Sequence, residues 1–152
     1  MKRADFIEQY ALNEKQIATL ERAERLAQSI KLTKKQSDIM SVKLDYETVN
    51  DDCTTKSVRA DYLHLYVNKS SNVAQIYLKA HETLYILCRR SMFNAECEKY
   101  FAETYTVENK NDKIFRVICK DTDLTEFCKF ATMSYLRNMT TNATKKEAVK
   151  EA

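Results

Sequence analysis

Residues 72–93, Asn72-Val-Ala-Gln-Ile-Tyr-Leu-Lys-Ala-His-Glu-Thr-Leu-Tyr-Ile-Leu-Cys-Arg-Arg-Ser-Met-Phe93, decide how the chain is read. Val73, Ile76, Tyr77, Ala80, Leu84, Leu87 and Cys88 recur at the three- and four-residue spacing of one helical face. Ser70 and Ser71 stand just ahead of them, where a helix needs a capping hydroxyl. The spacing predicts a single buried helix over residues 72–93, around which the other elements pack.

On the C-terminal side, Asn94 is expected to stop that helix and cap a shorter one carrying Cys97, Tyr100 and Phe101. The character then changes. Thr104–Glu108 and Lys113–Lys120 are rich in β-branched and aromatic residues and flank the polar run Asn109-Lys-Asn-Asp112. That is the pattern of a small β-hairpin, with asparagine filling turn positions that glycine usually takes. Asp121 or Asp123 should cap a helix over residues 124–139, built on Leu124, Phe127, Cys128, Ala131 and Tyr135. The tail at residues 140–152 carries Lys145, Lys146, Glu147, Lys150 and Glu151 and reads as charged and flexible.

On the N-terminal side, Asn13-Glu-Lys-Gln16 and Thr33-Lys-Lys-Gln36 both match the capping box. In that motif the first side chain accepts from a backbone N–H and the glutamine reaches back. They should start helices over residues 14–31 and 34–50, with Leu12 stapled onto Ile17 and a short helix over 3–11 before them. Asn50-Asp-Asp-Cys-Thr-Thr55 is a polar break. A further helix is expected from Lys56, with Val58, Tyr62, Leu65 and Tyr66 on one side. The stretch Tyr62–Val67 also alternates as a strand would, but the helix is the preferred reading. The expected fold is mainly α: a bundle of six or seven helices around residues 72–93, one domain over 1–139, and one hairpin near 104–120.

Composition narrows the chemistry. The 152 residues include no glycine and no proline, where average usage would give about eleven and eight. A glycine-rich phosphate cradle and a nucleophile elbow therefore cannot be written in this alphabet. The net charge of +3 is small for a nucleic-acid binder. It is unevenly spread: residues 1–36 hold eight basic and five acidic groups, residues 37–60 three and five, and residues 111–152 eight and six. Five cysteines (Cys53, Cys88, Cys97, Cys119 and Cys128) include no CxxC pair. With an odd number of thiols and no signal-peptide pattern, the expectation is an intracellular protein with reduced, buried cysteines and no membrane span.

The routes to an active site are poor. The two histidines, His64 and His81, form no HExxH, HxxxH or Cys-rich metal spacing, and Asp51-Asp52 lacks the ordered ligand array of a calcium loop. No catalytic residue, metal or cofactor is expected. Nine tyrosines are more than a small core needs, because a buried tyrosine must satisfy its hydroxyl. Tyr62, Tyr66, Tyr85, Arg89 and Arg90 are therefore the candidate contacts to a protein partner, aromatic and arginine side chains being the usual interface anchors. Arg3, Lys31, Lys34 and Lys35 are the alternative set, for phosphate contacts by two capped helices arranged as a helix-turn-helix.

Leu12–Glu21 and the expected helix over Asn72–Leu87 together resemble the helical layout of phage small terminase subunits. The resemblance covers helical spacing and chain size and leaves the hairpin and last helix aside; it implies a ring-forming DNA-packaging factor. The reading expects a non-enzymatic, self-associating accessory protein of phage or viral style that presents a helical surface to a protein partner. The alternative is an oligomeric nucleic-acid-binding factor of DNA packaging or replication.

Overall fold

The computed structural model describes residues 2–44 and 63–136. The first helix, α1 (Arg3–Gln9), buries Phe6 completely. The second, α2 (Glu14–Ser29), starts at the expected capping box: Gln16 N–H donates to Asn13 Oδ1 at 2.8 Å and Asn13 N–H to Gln16 Oε1 at 2.9 Å. Leu20, Ala23 and Leu26 are its buried stripe. Thr33 and Gln36 form the second box and start α3.

From here the chain departs from the helical expectation. α3 (Lys34–Ile39) ends after six residues, because Met40 turns to φ −122°, ψ 140° and begins strand β1 (Met40–Leu44). Residues 45–50 of the expected helix lie outside the described residues, as do the polar break at 50–55 and the tail. Leu65 and Tyr66 belong to strand β2 (Leu63–Val67), not to a helix. The largest correction is at residues 72–93. They form two strands, β3 (Ser71–Lys79) and β4 (Thr83–Arg89), joined by a tight turn at 80–82. The bundle expected around a central helix is instead a six-stranded antiparallel sheet in the order β1-β2-β3-β4-β6-β5.

The physical reason is that this stretch satisfies both periods. Ala74, Ile76 and Leu78, then Leu84, Ile86 and Cys88, are buried in strict alternation, while Gln75, Tyr77, Tyr85 and Leu87 face the other way. Valine, isoleucine, threonine and tyrosine prefer the pleated surface, and pairing across six strands outweighs a local helical preference. A bulge hides the alternation in the sequence. Between Leu65↔Ala74 and Tyr66↔Asn72 the register slips, so Val73 is extra and β3 changes phase there.

The C-terminal half follows its sequence more closely. Asn94 Oδ1 accepts from Cys97 N–H at 3.0 Å and caps α4 (Ala95–Ala102). The expected hairpin is present as β5 (Thr106–Asn109) and β6 (Ile114–Lys120), with Asn111 Oδ1 accepting from the backbone N–H groups of Lys113 and Ile114. It is a part of the large sheet and not an appendage, since β6 pairs with β4 along its whole length. Residues 121–123 form a single 3-10 turn, and residues 124–136 are the described part of a last helix, α5.

One core joins the layers. Leu63, Leu65 and Val67, Ile76, Leu84, Ile86, Phe115 and Val117 from the strands pack with Phe6, Leu20, Ala23 and Leu26 from α1 and α2, Phe101 from α4, and Leu124, Phe127 and Ala131 from α5. Phe101 lies between Phe115 and Phe127, with ring centroids 6.2 and 5.2 Å away. The helices that feed this core therefore lie against one face of the sheet, and alternate strand residues compose the opposite face. Among the described residues no helix is long and apolar enough to cross a membrane.

Candidate functional site

The outer face of the sheet is built by the residues that the core does not take. Register places Lys43, His64, Gln75, Leu87, Arg116 and Glu108 in one row across all six strands. Tyr77 lies opposite Tyr85, and Tyr85 opposite Ile118, in the next row on that side. Lys79, Thr83 and Lys120 follow at the sheet's end. Among the described strand residues, the charged members of this face are Lys43, Lys79, Arg89, Arg116 and Lys120 against Glu108 alone, a local excess that the whole-chain value of +3 conceals.

Three of these cations, Lys43, Lys79 and Arg116, sit on its rings. Arg116 Cζ is 4.6 Å from the Tyr85 centroid, and Lys79 Nζ is 5.5 Å from Tyr85 and 5.9 Å from Tyr77. Tyr85 is thus shared by two cations from neighbouring strands. Across the sheet Lys43 Nζ stands 5.0 Å from the Tyr66 ring, which stacks against His64 at 6.1 Å. Each such contact contributes about 0.5–1 kcal/mol at an exposed site. Arg116 is also ion-paired with Glu108, although its Nε is buried without a hydrogen-bond acceptor.

The residues singled out from the sequence separate. Tyr66 and Tyr85 are on this face, and Arg89 occupies the end of β4 with the same parity. Tyr62 lies outside the described residues. Arg90 is engaged elsewhere. It pairs with Glu98, donates from Nη2 to Asn109 Oδ1 at 2.6 Å and from Nε to Asn111 O at 3.1 Å, and covers Phe115 at 5.4 Å. These contacts fasten α4 to the β5–β6 hairpin. Of the alternative set, Arg3 is held by Glu24 at 2.9 Å. Lys31, Lys34 and Lys35 are exposed around the α2–α3 link. α3 is too short, at six residues, to enter a groove as a recognition helix. Lys43, Tyr77, Lys79 and Arg116 were missed, and only the cross-strand register brings them together.

The concavities offer less. A polar cleft of about 400 Å³ is lined by Arg22, Arg25, Glu82, Asp121, Thr122 and Thr125 among others. Arg22 is committed within it, donating to Asp121 Oδ1 and Oδ2 at 2.6 and 2.8 Å and to the carbonyls of Lys79 and Thr83 at 2.7 and 3.2 Å. A cavity of about 50 Å³ between α4 and α5 is small against ligand pockets of roughly 300 Å³ and more.

Cys88, Cys97, Cys119 and Cys128 are buried thiols. Burial pushes the Cys128 thiol up to about 12, and burial together with the charges of Asp123 and Asp121 does the same to Cys119. Burial raises the Cys88 thiol as well. None of these three has the thiolate character that nucleophilic chemistry requires. Among the described residues no three histidine, cysteine or acidic side chains gather as metal ligands. Comparison with protein-family models, curated proteins and solved structures finds no match for this chain.

Proposed function

We propose that the chain is a non-enzymatic binding module that meets an anionic partner with the outer face of its sheet. The expected helical docking surface is replaced by this face, because α1, α2, α4 and α5 send buried residues into the core. The observation that carries the reading is the charge of the face: Lys43, Lys79, Arg89, Arg116 and Lys120 against Glu108, interleaved with Tyr66, Tyr77 and Tyr85. Clustered cations raise the local concentration of an anionic partner and speed its capture. Tyrosine and arginine supply the contact energy once it has docked. The same pattern weighs against two copies packing face to face, since like charges would oppose each other. The odd number of five cysteines, four of them buried thiols, supports action inside a cell.

The test is a paired substitution read by calorimetric titration with polyglutamate and with an oligonucleotide. Lys79→Gln combined with Arg116→Gln should weaken binding to either polymer at least tenfold. Lys34→Gln combined with Lys35→Gln should leave it within twofold. The opposite result would move the contact surface to the α2–α3 link.

A further inference from the structure

We infer that the anionic partner is a single-stranded nucleic acid, taken up with a base against Tyr85 and phosphates on Lys79, Arg116 and Lys43; this rests on the outer-face reading above. Three observations select it. First, the cations lie directly over aromatic rings and not beside them: Lys79 serves Tyr77 and Tyr85, Arg116 serves Tyr85 and Lys43 serves Tyr66. A phosphate arriving at Lys79 or Arg116 draws the cation off the Tyr85 ring and bares a surface of the size a base covers. Base stacking on an aromatic ring is stronger than the exposed cation contact it replaces, so the exchange favours the bound state.

Second, two of the three ring-facing cations on this face are lysines. Lysine is depleted at protein–protein interfaces but common on phosphate-binding surfaces, so the composition favours phosphates over the carboxylates of an acidic protein. Third, the rings belong to a broad pleated sheet and are themselves half-buried. A recessed platform of this kind cannot enter a duplex groove, yet it matches unstacked bases splayed from a single strand. From Lys43 on β1 to Arg116 on β6 the row crosses five strands. At about 4.8 Å per strand that is about 19 Å, room for roughly four nucleotides.

Fluorescence anisotropy with a short labelled oligothymidylate, with duplex DNA and polyglutamate as competitors, tests the inference on the whole chain. Three phosphate contacts give an expected salt slope of about −2. Tyr85→Leu, which keeps apolar bulk but loses the ring, should weaken binding about five- to a hundredfold without changing that slope. Lys79→Gln and Arg116→Gln should each remove about 0.7 from it. Iodouracil in the oligonucleotide should photocrosslink to peptides of β3, β4 or β6. Unchanged affinity in Tyr85→Leu, or polyglutamate competing as well as the oligonucleotide, would overturn the inference and leave the face to an acidic protein. A crosslink confined to the α2–α3 link would overturn it as well. Failure of every polyanion to bind would overturn both this inference and the reading it rests on.

Discussion

Ile86 and Leu87 are neighbours on β4, yet they belong to different surfaces. Ile86 is sealed between Ile76, Val117 and the helical layer, whereas Leu87 shares the outer row with Gln75 and Arg116. The strands repeat the division: buried inner positions hold only apolar residues and thiols, whereas tyrosine, lysine and arginine are found at outer positions beside Leu87 and Ile118. The difference teaches that stability and recognition are separated here by one residue of register, not by distance along the chain.

The strongest way to break this comparison is to truncate both neighbours. Ile86→Ala should lose about 2–5 kcal/mol, because it removes buried methyl groups and leaves a cavity in a fully sealed layer. Leu87→Ala should cost less than about 1 kcal/mol in chemical denaturation. Equal losses would mean that the outer face is as tightly packed as the inner one.

Arg22 sharpens the comparison at the sheet's end, where it ties α2 to Asp121 and to the carbonyls of Lys79 and Thr83. Arg22→Leu should cost about 1.5–3 kcal/mol, the range for charge-assisted hydrogen bonds at partly buried sites. Oligonucleotide affinity should be unchanged. A loss of affinity in a fully folded variant would show that the helical layer also serves the binding face.

Alkaline titration separates the faces by chemistry. The thiols of Cys119 and Cys128 titrate near 9.0 when exposed and are pushed up to about 12 in the folded chain. Between those values the unfolded state has released protons that the native state keeps. The stability these thiols provide is therefore complete below about pH 9 and is lost as pH climbs toward 12. The melting temperature should fall across that window, and Cys128→Ala should make the fall shallower.

The smallest effect lies in the turn joining β3 to β4. His81 and Glu82 have φ of 58° and 54°, a left-handed geometry costly for any residue with a Cβ. It is held by Asp121 N–H donating to Glu82 O at 2.9 Å and by the Lys120 ammonium donating to His81 O at 3.3 Å. Glu82→Gly should gain about 0.5–1 kcal/mol, read as a higher melting temperature, with neither face altered.

That turn also explains how much of the fold was legible. Capping boxes at Asn13 and Thr33, the Asn94 cap and the Asn109–Asp112 hairpin all carry local chemistry that names the structure they make. The turn at 80–82 carries none. In a chain without glycine, Ala80-His-Glu82 runs on as though β3 and β4 were continuous, and the extra Val73 shifts the phase of the alternation. The candidate site was partly visible for the same reason. Tyr66, Tyr85 and Arg89 stand out by residue type, but eight positions separate Tyr77 from Tyr85 and 31 separate Tyr85 from Arg116. Only cross-strand pairing makes them adjacent, and pairing is a non-local property of the sheet.

Enclosing Cys88, Cys97, Cys119 and Cys128 gives the molecule four internal clocks. With Cys53 replaced, a thiol reagent added to the native protein measures how often each layer opens, because reaction must wait for exposure. Cys88 and Cys119 on the strands and Cys97 and Cys128 on the helices would then time the opening of sheet and helices separately.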